Sequence, residues 1–112
     1  AEFLLVSSQH AVRKIPLQDI VYIEAMGRIL RIHTLRDTIE TYEQIGQMEK
    51  RLCEKDFFRC HKGYLINLKY VDTFDKNLIQ METKDTILLA RRRYDDFARA
   101  LMHYMKKEGG FV

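Results

Sequence analysis

Phe57-Phe58-Arg59-Cys60-His61-Lys62-Gly63-Tyr64-Leu65-Ile66-Asn67 sets two cations and a histidine between an aromatic pair and an apolar run ending in asparagine. Flanks of this kind bury themselves, and a polar, basic middle between them is held stiffly at a surface, which suits an anionic ligand. The stretch also decides the fold class. Just before it, Ile45, Met48 and Leu52 recur at three- and four-residue spacing, and Thr41 with Gln44 could form a capping box, so one helix is expected there. A helix-turn-helix protein would show a second helix after a short turn. Here the chain returns to strand pattern at Phe57, and the fold is expected to be mainly β.

Working outward, the segments Phe3–Ser7, Ala11–Ile15, Ile20–Ile23, Ile29–Ile32 and Thr38–Tyr42 read as strands before the helix, and Pro16 is the only proline, placed where a strand should end. Gly27 marks a tight turn with Arg28 at or beside its tip. After the basic stretch, Tyr64–Ile66, Val71–Phe74, Leu78–Met81 and Thr86–Leu89 continue the strands, with Asp75-Lys76-Asn77 and Thr83-Lys84-Asp85 as turns. The C-terminal segment is a clear amphipathic helix. Tyr94, Phe97, Ala98, Leu101, Met102 and Met105 share one face, Asp95 and Asp96 open it, Lys106 and Lys107 close it, and Gly109-Gly110 stops it. Its apolar face is expected to cover the strands.

With 112 residues the chain is expected to be a single domain, and 46% hydrophobic with 31% charged residues is an ordinary globular balance. The longest apolar runs are far short of the roughly 20 residues a membrane span needs, and no signal peptide pattern opens the chain, so a cytoplasmic address is expected. Net charge is only +3, so the distribution of charge carries more than its sum. The cations cluster as Arg91-Arg92-Arg93, as Arg59, His61 and Lys62, and as Arg28 and Arg31. Acidic residues such as Glu40, Glu43, Glu49, Asp95 and Asp96 read as lying apart from them. Each cluster could equally be a solvated face, with Arg59 paired to Glu54 or Asp56.

Catalytic patterns are missing. Cys60 and His61 are adjacent, so a strand points them to opposite faces, and there is no nucleophile elbow, phosphate loop or paired metal-binding histidines. No enzyme activity, metal or cofactor is expected. Cys53 and Cys60 lack metal-ligand spacing. They read as reduced thiols, or as a redox pair if their Cα atoms come within about 7 Å. Nucleic acid fits better. Arginine donates two parallel hydrogen bonds to phosphate or guanine, and Arg91-Arg92-Arg93 falls at a strand-to-helix corner. RNA is the weaker option, because adjacent Phe57 and Phe58 cannot both stack bases on one face. A protein-interaction module, docking through the C-terminal helix or a strand edge, is the competing class.

The basic stretch closely resembles the signature of LytTR-type DNA-binding domains, output modules of bacterial response regulators. The likeness extends to Ile15-Pro16-Leu17-Gln18-Asp19-Ile20-Val21-Tyr22-Ile23-Glu24-Ala25, to Gly27–His33, to the helix Ile45–Leu52 and to Arg92-Arg93-Tyr94. The resemblance implies about ten short strands in small antiparallel sheets, a short central helix and a C-terminal helix. It implies sequence-specific binding of double-stranded DNA for transcription regulation, with loops in successive major grooves. Carried over by position, Arg28, Ile29, Leu30, Lys62 and Arg93 would read bases. Arg31, Arg59, His61, Gly63, Arg91 and Arg92 would hold phosphates. It further implies a homodimer on repeated half-sites and a receiver domain in the intact protein. Neutralising six to eight phosphates would give a salt slope of about −5 to −7. Basic Lys62 and Arg91, where many members carry smaller polar residues, favour guanine and raise the sequence-independent share of affinity.

Overall fold

The computed structural model describes residues 1–112. Ten strands and two helices follow one another as β1 (Phe3–Ser8), β2 (Ala11–Pro16), β3 (Ile20–Met26), β4 (Ile29–Thr34), β5 (Thr38–Tyr42), α1 (Ile45–Arg51), β6 (Phe57–His61), β7 (Tyr64–Asn67), β8 (Val71–Phe74), β9 (Leu78–Met81), β10 (Thr86–Leu88) and α2 (Tyr94–Lys107). They build three antiparallel sheets: the β1-β2 hairpin, a central sheet in the order β5-β4-β3-β7-β6, and a β10-β9-β8 sheet. The mainly β fold expected from strand periodicity is therefore present. No helix is long and apolar enough to cross a membrane.

Strand alternation sends the two faces of the central sheet into two cores. On one side Ile20, Ile23, Leu30, Ile32, Ile39 and Leu65 meet Leu4, Val6 and Ile15 of the hairpin, Met48 of α1 and Leu52 just after it. On the other, Tyr22, Cys60 and Ile66 meet Ile79, Met81 and Ile87 of the small sheet and Phe97 of α2. Each fully buried aliphatic or aromatic side chain contributes roughly 1.5–3 kcal/mol. A bulge in β3, where the register slips between Ile20 and Tyr22, lets Val21 and Tyr22 both turn to the second core.

Two expectations need correction. Thr41 and Gln44 form no capping box: Gln44 is the residue before α1 but makes no side-chain cap bond, while Thr41 is a buried member of β5. The stripe of α2 is rotated from the one expected. Phe97 is fully buried, Tyr94, Ala100, Leu101 and Tyr104 pack around it, and Met102 is 46% exposed. Tyr104 lies seven residues after Phe97, about two turns on, and so shares its side, whereas Met102 is five residues on and turned away.

The β3–β4 turn is Gly27-Arg28. Gly27 adopts φ +60°, a left-handed conformation open to glycine without steric cost, and leaves Arg28 exposed at the tip.

Candidate nucleic-acid interface

Three basic segments, distant in sequence, are drawn to one end of the central sheet by main-chain bonds. β3 runs antiparallel to β7 with Glu24 opposite Tyr64, and the Ala25 amide donates to the Gly63 carbonyl at 2.9 Å. The Gly27-Arg28 turn and the Lys62-Gly63 turn are therefore neighbours. From the other side, the Ala90 amide donates to the Cys60 carbonyl at 2.9 Å, which lays the one-turn 3-10 helix Arg91–Arg93 along the free edge of β6. Arg59, His61, Lys62, Arg92 and Arg93 wall one shallow cleft, and Arg59 also walls a second cleft with Gly27, Arg28 and Gln44. Arg59 thus joins the two halves of the basic end.

The cations there are of two kinds. Arg28, Lys62, Arg91 and Arg92 are exposed, and none takes part in the protein's ion pairs. The others are tied. Arg59 donates from Nη1 to Glu49 at 3.0 Å, from Nε to the His61 carbonyl at 3.2 Å and from Nη2 to the Lys62 carbonyl at 2.6 Å. Arg93 donates from Nε to the Arg59 carbonyl at 3.2 Å and from Nη1 to Asp96 at 3.1 Å, with its guanidinium 4.7 Å from the Phe58 ring centre. Arg31 pairs with Glu40 at 3.0 Å.

This pairing corrects the expectation that the acidic residues lie apart from the basic clusters. Glu40, Glu49 and Asp96 stand at the cations they balance. Arg59 turns to Glu49 on α1 instead of Glu54 or Asp56, because α1 packs against β6, while Asp56 pairs with Lys107 at 2.6 Å.

The β6–β7 turn is shaped from within. His61 Nδ1 accepts from the Gly63 amide at 3.0 Å, and its ring leans on Tyr64 at 5.6 Å. In a neutral ring this assignment leaves Nε2–H as the outward donor. The Gly63 amide, expected to hold a phosphate, already donates to the His61 ring, and a Cβ at Gly63 would make only ordinary contact with Nδ1 at 3.6 Å. Leu30 also departs from its expected role. It is 1% exposed within the first core and offers no surface to a base, whereas Ile29 projects from the opposite face of β4 and is partly exposed.

Cys53 and Cys60, the candidate redox pair, stand in different environments. Both thiols are free, Cys53 exposed and Cys60 buried. Cys60 Sγ donates to the Leu88 carbonyl at 3.5 Å, and burial pushes its thiol up to about 12, so it stays protonated and inert. Glu49 and Asp96, which position Arg59 and Arg93, were missed from sequence. The i, i+3 spacing of Arg93 and Asp96 at a helix start was a usable signal; nothing in the spacing of Glu49 and Arg59 was.

A family model described as the LytTr DNA-binding domain matches residues 10–102. The transcriptional regulatory protein NatR of Bacillus subtilis (strain 168) is 34% identical over 68 residues, covering 61% of this chain and 28% of that protein. The transcriptional regulatory protein YpdB of Escherichia coli (strain K12) is 28% identical over 94 residues, covering 79% of this chain and 38% of that protein. The chain thus spans less than two-fifths of these relatives. Among solved structures, the LytTr DNA-binding domain of a putative methyl-accepting/DNA response regulator from Bacillus cereus superposes with a TM-score of 0.77, over 90% of this chain and 97% of that one, at 15% identity. Ten strands in this order, two helices and a family match over most of its length make this chain a member of the LytTR DNA-binding domain family.

Proposed function

We propose that the domain binds double-stranded DNA and serves as the output module of a transcription regulator. One observation carries this reading: Arg28, Lys62, Arg91 and Arg92, four exposed cations without carboxylate partners, converge on a single end of a stiff sheet. A duplex presents a negative charge about every 1.7 Å of its axis, and a row of unpaired cations on a rigid frame matches that field.

In this reading the Gly27-Arg28 and Lys62-Gly63 turns enter the major groove. Arg28 and Lys62 meet guanine acceptors and Ile29 supplies an apolar contact. Arg93 keeps its Nη2 hydrogens for a base while its other bonds fix its position. Arg91, Arg92 and the His61 Nε2–H hold phosphates. Arg59 sets the turn in place and touches the ligand less than its sequence position suggested. A homodimer on repeated half-sites and a receiver domain elsewhere in the intact regulator belong to the same proposal, as does an intracellular address. The competing docking surface on α2 is not favoured, because its apolar stripe is already packed on the second core.

The direct test is a titration of labelled random duplex DNA at low salt. Binding is expected, and it should be lost in a variant carrying Arg28→Glu, Lys62→Glu, Arg91→Glu and Arg92→Glu that keeps its far-UV circular dichroism. A folded wild type that ignores DNA at low salt, or a charge-reversed variant that binds as well as the parent, overturns the reading.

A further inference from the structure

Met26, Ile29 and Tyr42 lie in register across three strands, Met26 opposite Ile29 and Ile29 opposite Tyr42. Their side chains therefore leave the central sheet on the same face. None belongs to either core, Met26 is 41% exposed and Tyr42 83%. Packing gives no reason for an apolar ridge here.

The neighbouring rows show where its ligand must stop. One step inward, Glu24, Arg31 and Glu40 are in register, with Arg31 bound to Glu40 at 3.0 Å and Glu24 to His33 at 2.7 Å. Those carboxylates are already satisfied, and they make that part of the face unwelcoming to phosphate. Only the outermost row is apolar, and it borders the Gly27-Arg28 turn on the strands that carry it. A duplex entered by Arg28 passes over the ridge.

In a major groove the apolar feature available to such side chains is the C5-methyl of thymine. We infer that the Met26–Ile29–Tyr42 ridge packs against thymine methyl groups, so that the domain reads A·T pairs beside the base pair contacted by Arg28. This rests on the DNA reading above and adds to it two contact residues, Met26 and Tyr42, and their target. A second protein copy is the less fitting occupant, because the ridge is continuous with the unpaired cations.

The test uses a duplex selected by the domain from a random library, then the same duplex with every thymine replaced by uracil, which removes only the methyls. Uracil should weaken wild-type binding about fourfold for each methyl contacted. Tyr42→Ala and Met26→Ala should each weaken the thymine duplex to a similar extent, respond less to uracil, and leave the salt slope unchanged because no charge is lost. With Tyr42 so exposed, its truncation should not alter unfolding. Wild-type affinity indifferent to uracil overturns the inference alone, as do variants that keep the full uracil effect. Variants that change sedimentation but not duplex affinity assign the ridge to a second copy and overturn it too. A wild type that selects no duplex overturns both readings.

Discussion

The division of cations into free and tied makes a quantitative forecast about salt. Counted from sequence, seven cations belong to the basic end: Arg28, Arg31, Arg59, Lys62, Arg91, Arg92 and Arg93. If each released a counterion, log K against log salt would have a slope near −6.3, at about −0.9 per phosphate neutralised. Three of the seven already face a carboxylate in the free protein: Arg31 with Glu40, Arg59 with Glu49 and Arg93 with Asp96. Their charge is largely balanced before DNA arrives, so moving them to phosphate gains little. On random duplex, where Arg28 and Lys62 find no fixed guanine and meet phosphate instead, the four free cations give a slope near −3.6. Between 50 and 200 mM salt that is about a 150-fold loss of affinity, against about 6000-fold for seven. Fluorescence anisotropy with a short random duplex across that range separates the two. Alanine at Arg28, Lys62, Arg91 or Arg92 should reduce the slope by about 0.9 each, and alanine at Arg31 should not. A wild-type slope near −6, or equal decrements at free and tied positions, would show that the ion pairs open on binding and would refute the reasoning.

Arg59→Ala should cost roughly 1–3 kcal/mol in urea unfolding, because the His61 and Lys62 carbonyls lose their donor in a partly buried turn, and it should leave the salt slope nearly unchanged. A reduced slope at unaltered stability would instead make Arg59 a phosphate ligand. Alkylation of the native protein at pH 8 is expected to label Cys53 alone, with Cys60 reacting only after denaturation; rapid labelling of both thiols would contradict the burial of Cys60. Stability should fall in alkali. Burial raises Tyr22, Tyr64 and Tyr70 above their ordinary 10.0 and Cys60 above 9.0. The unfolded chain therefore gives up these protons first, so the contribution is complete below about pH 9 and is lost as pH climbs past 10. Urea midpoints at pH 7, 9 and 10.5 should show the fall, reduced in Tyr22→Phe; a flat profile would be inconsistent with it.

Strand periodicity made most of the fold legible. Thr38–Tyr42 alternates cleanly because one face of β5 is buried and the other wet, and Asp75-Lys76-Asn77 announces its turn because the Asp75 side chain accepts from the Asn77 and Leu78 amides. What escaped the sequence depends on register. The β3 bulge that turns Val21 and Tyr22 to the same core has no local marker, and the α2 stripe was misplaced because apolar Met102 suggests a wider stripe than the partner sheet covers, while the hydroxyl of Tyr104 hides its part in the buried row. The basic end was found through its residue types. Which cations are free was not, since Glu49 reaches Arg59 only through the packing of α1 on β6, and Leu30 reads as a tip residue until its face is assigned.

In the proposed DNA reading, tied arginines beside free ones would divide the work of recognition. A lysine on a mobile turn must be ordered on binding, at a cost of about 0.5–1.5 kcal/mol for a side chain rich in rotamers, and more if the backbone moves with it. Arg59 holds the carbonyl of Lys62 and Arg93 holds that of Arg59, so the backbone that launches Lys62 is fixed when the protein folds. Only the lysine side chain is left to order. In that proposed reading, affinity would come mainly from the four free cations, through the ions they displace, and the tied ones would sharpen discrimination through the geometry they impose. The two should separate under mutation. Weakening Arg91 or Arg92 should lower affinity for all sequences alike, whereas loosening Arg93 from Asp96 should blur the preference at the base nearest Lys62 while sparing non-specific binding. Asp96→Asn tests this, because it loosens Arg93 without removing any cation, and Arg99→Ala controls for the second arginine that shares the Asp96 carboxylate: non-specific affinity should hold or rise in Asp96→Asn, the selected site should lose its advantage, and a variant that keeps full preference would show that the turn needs no such tether.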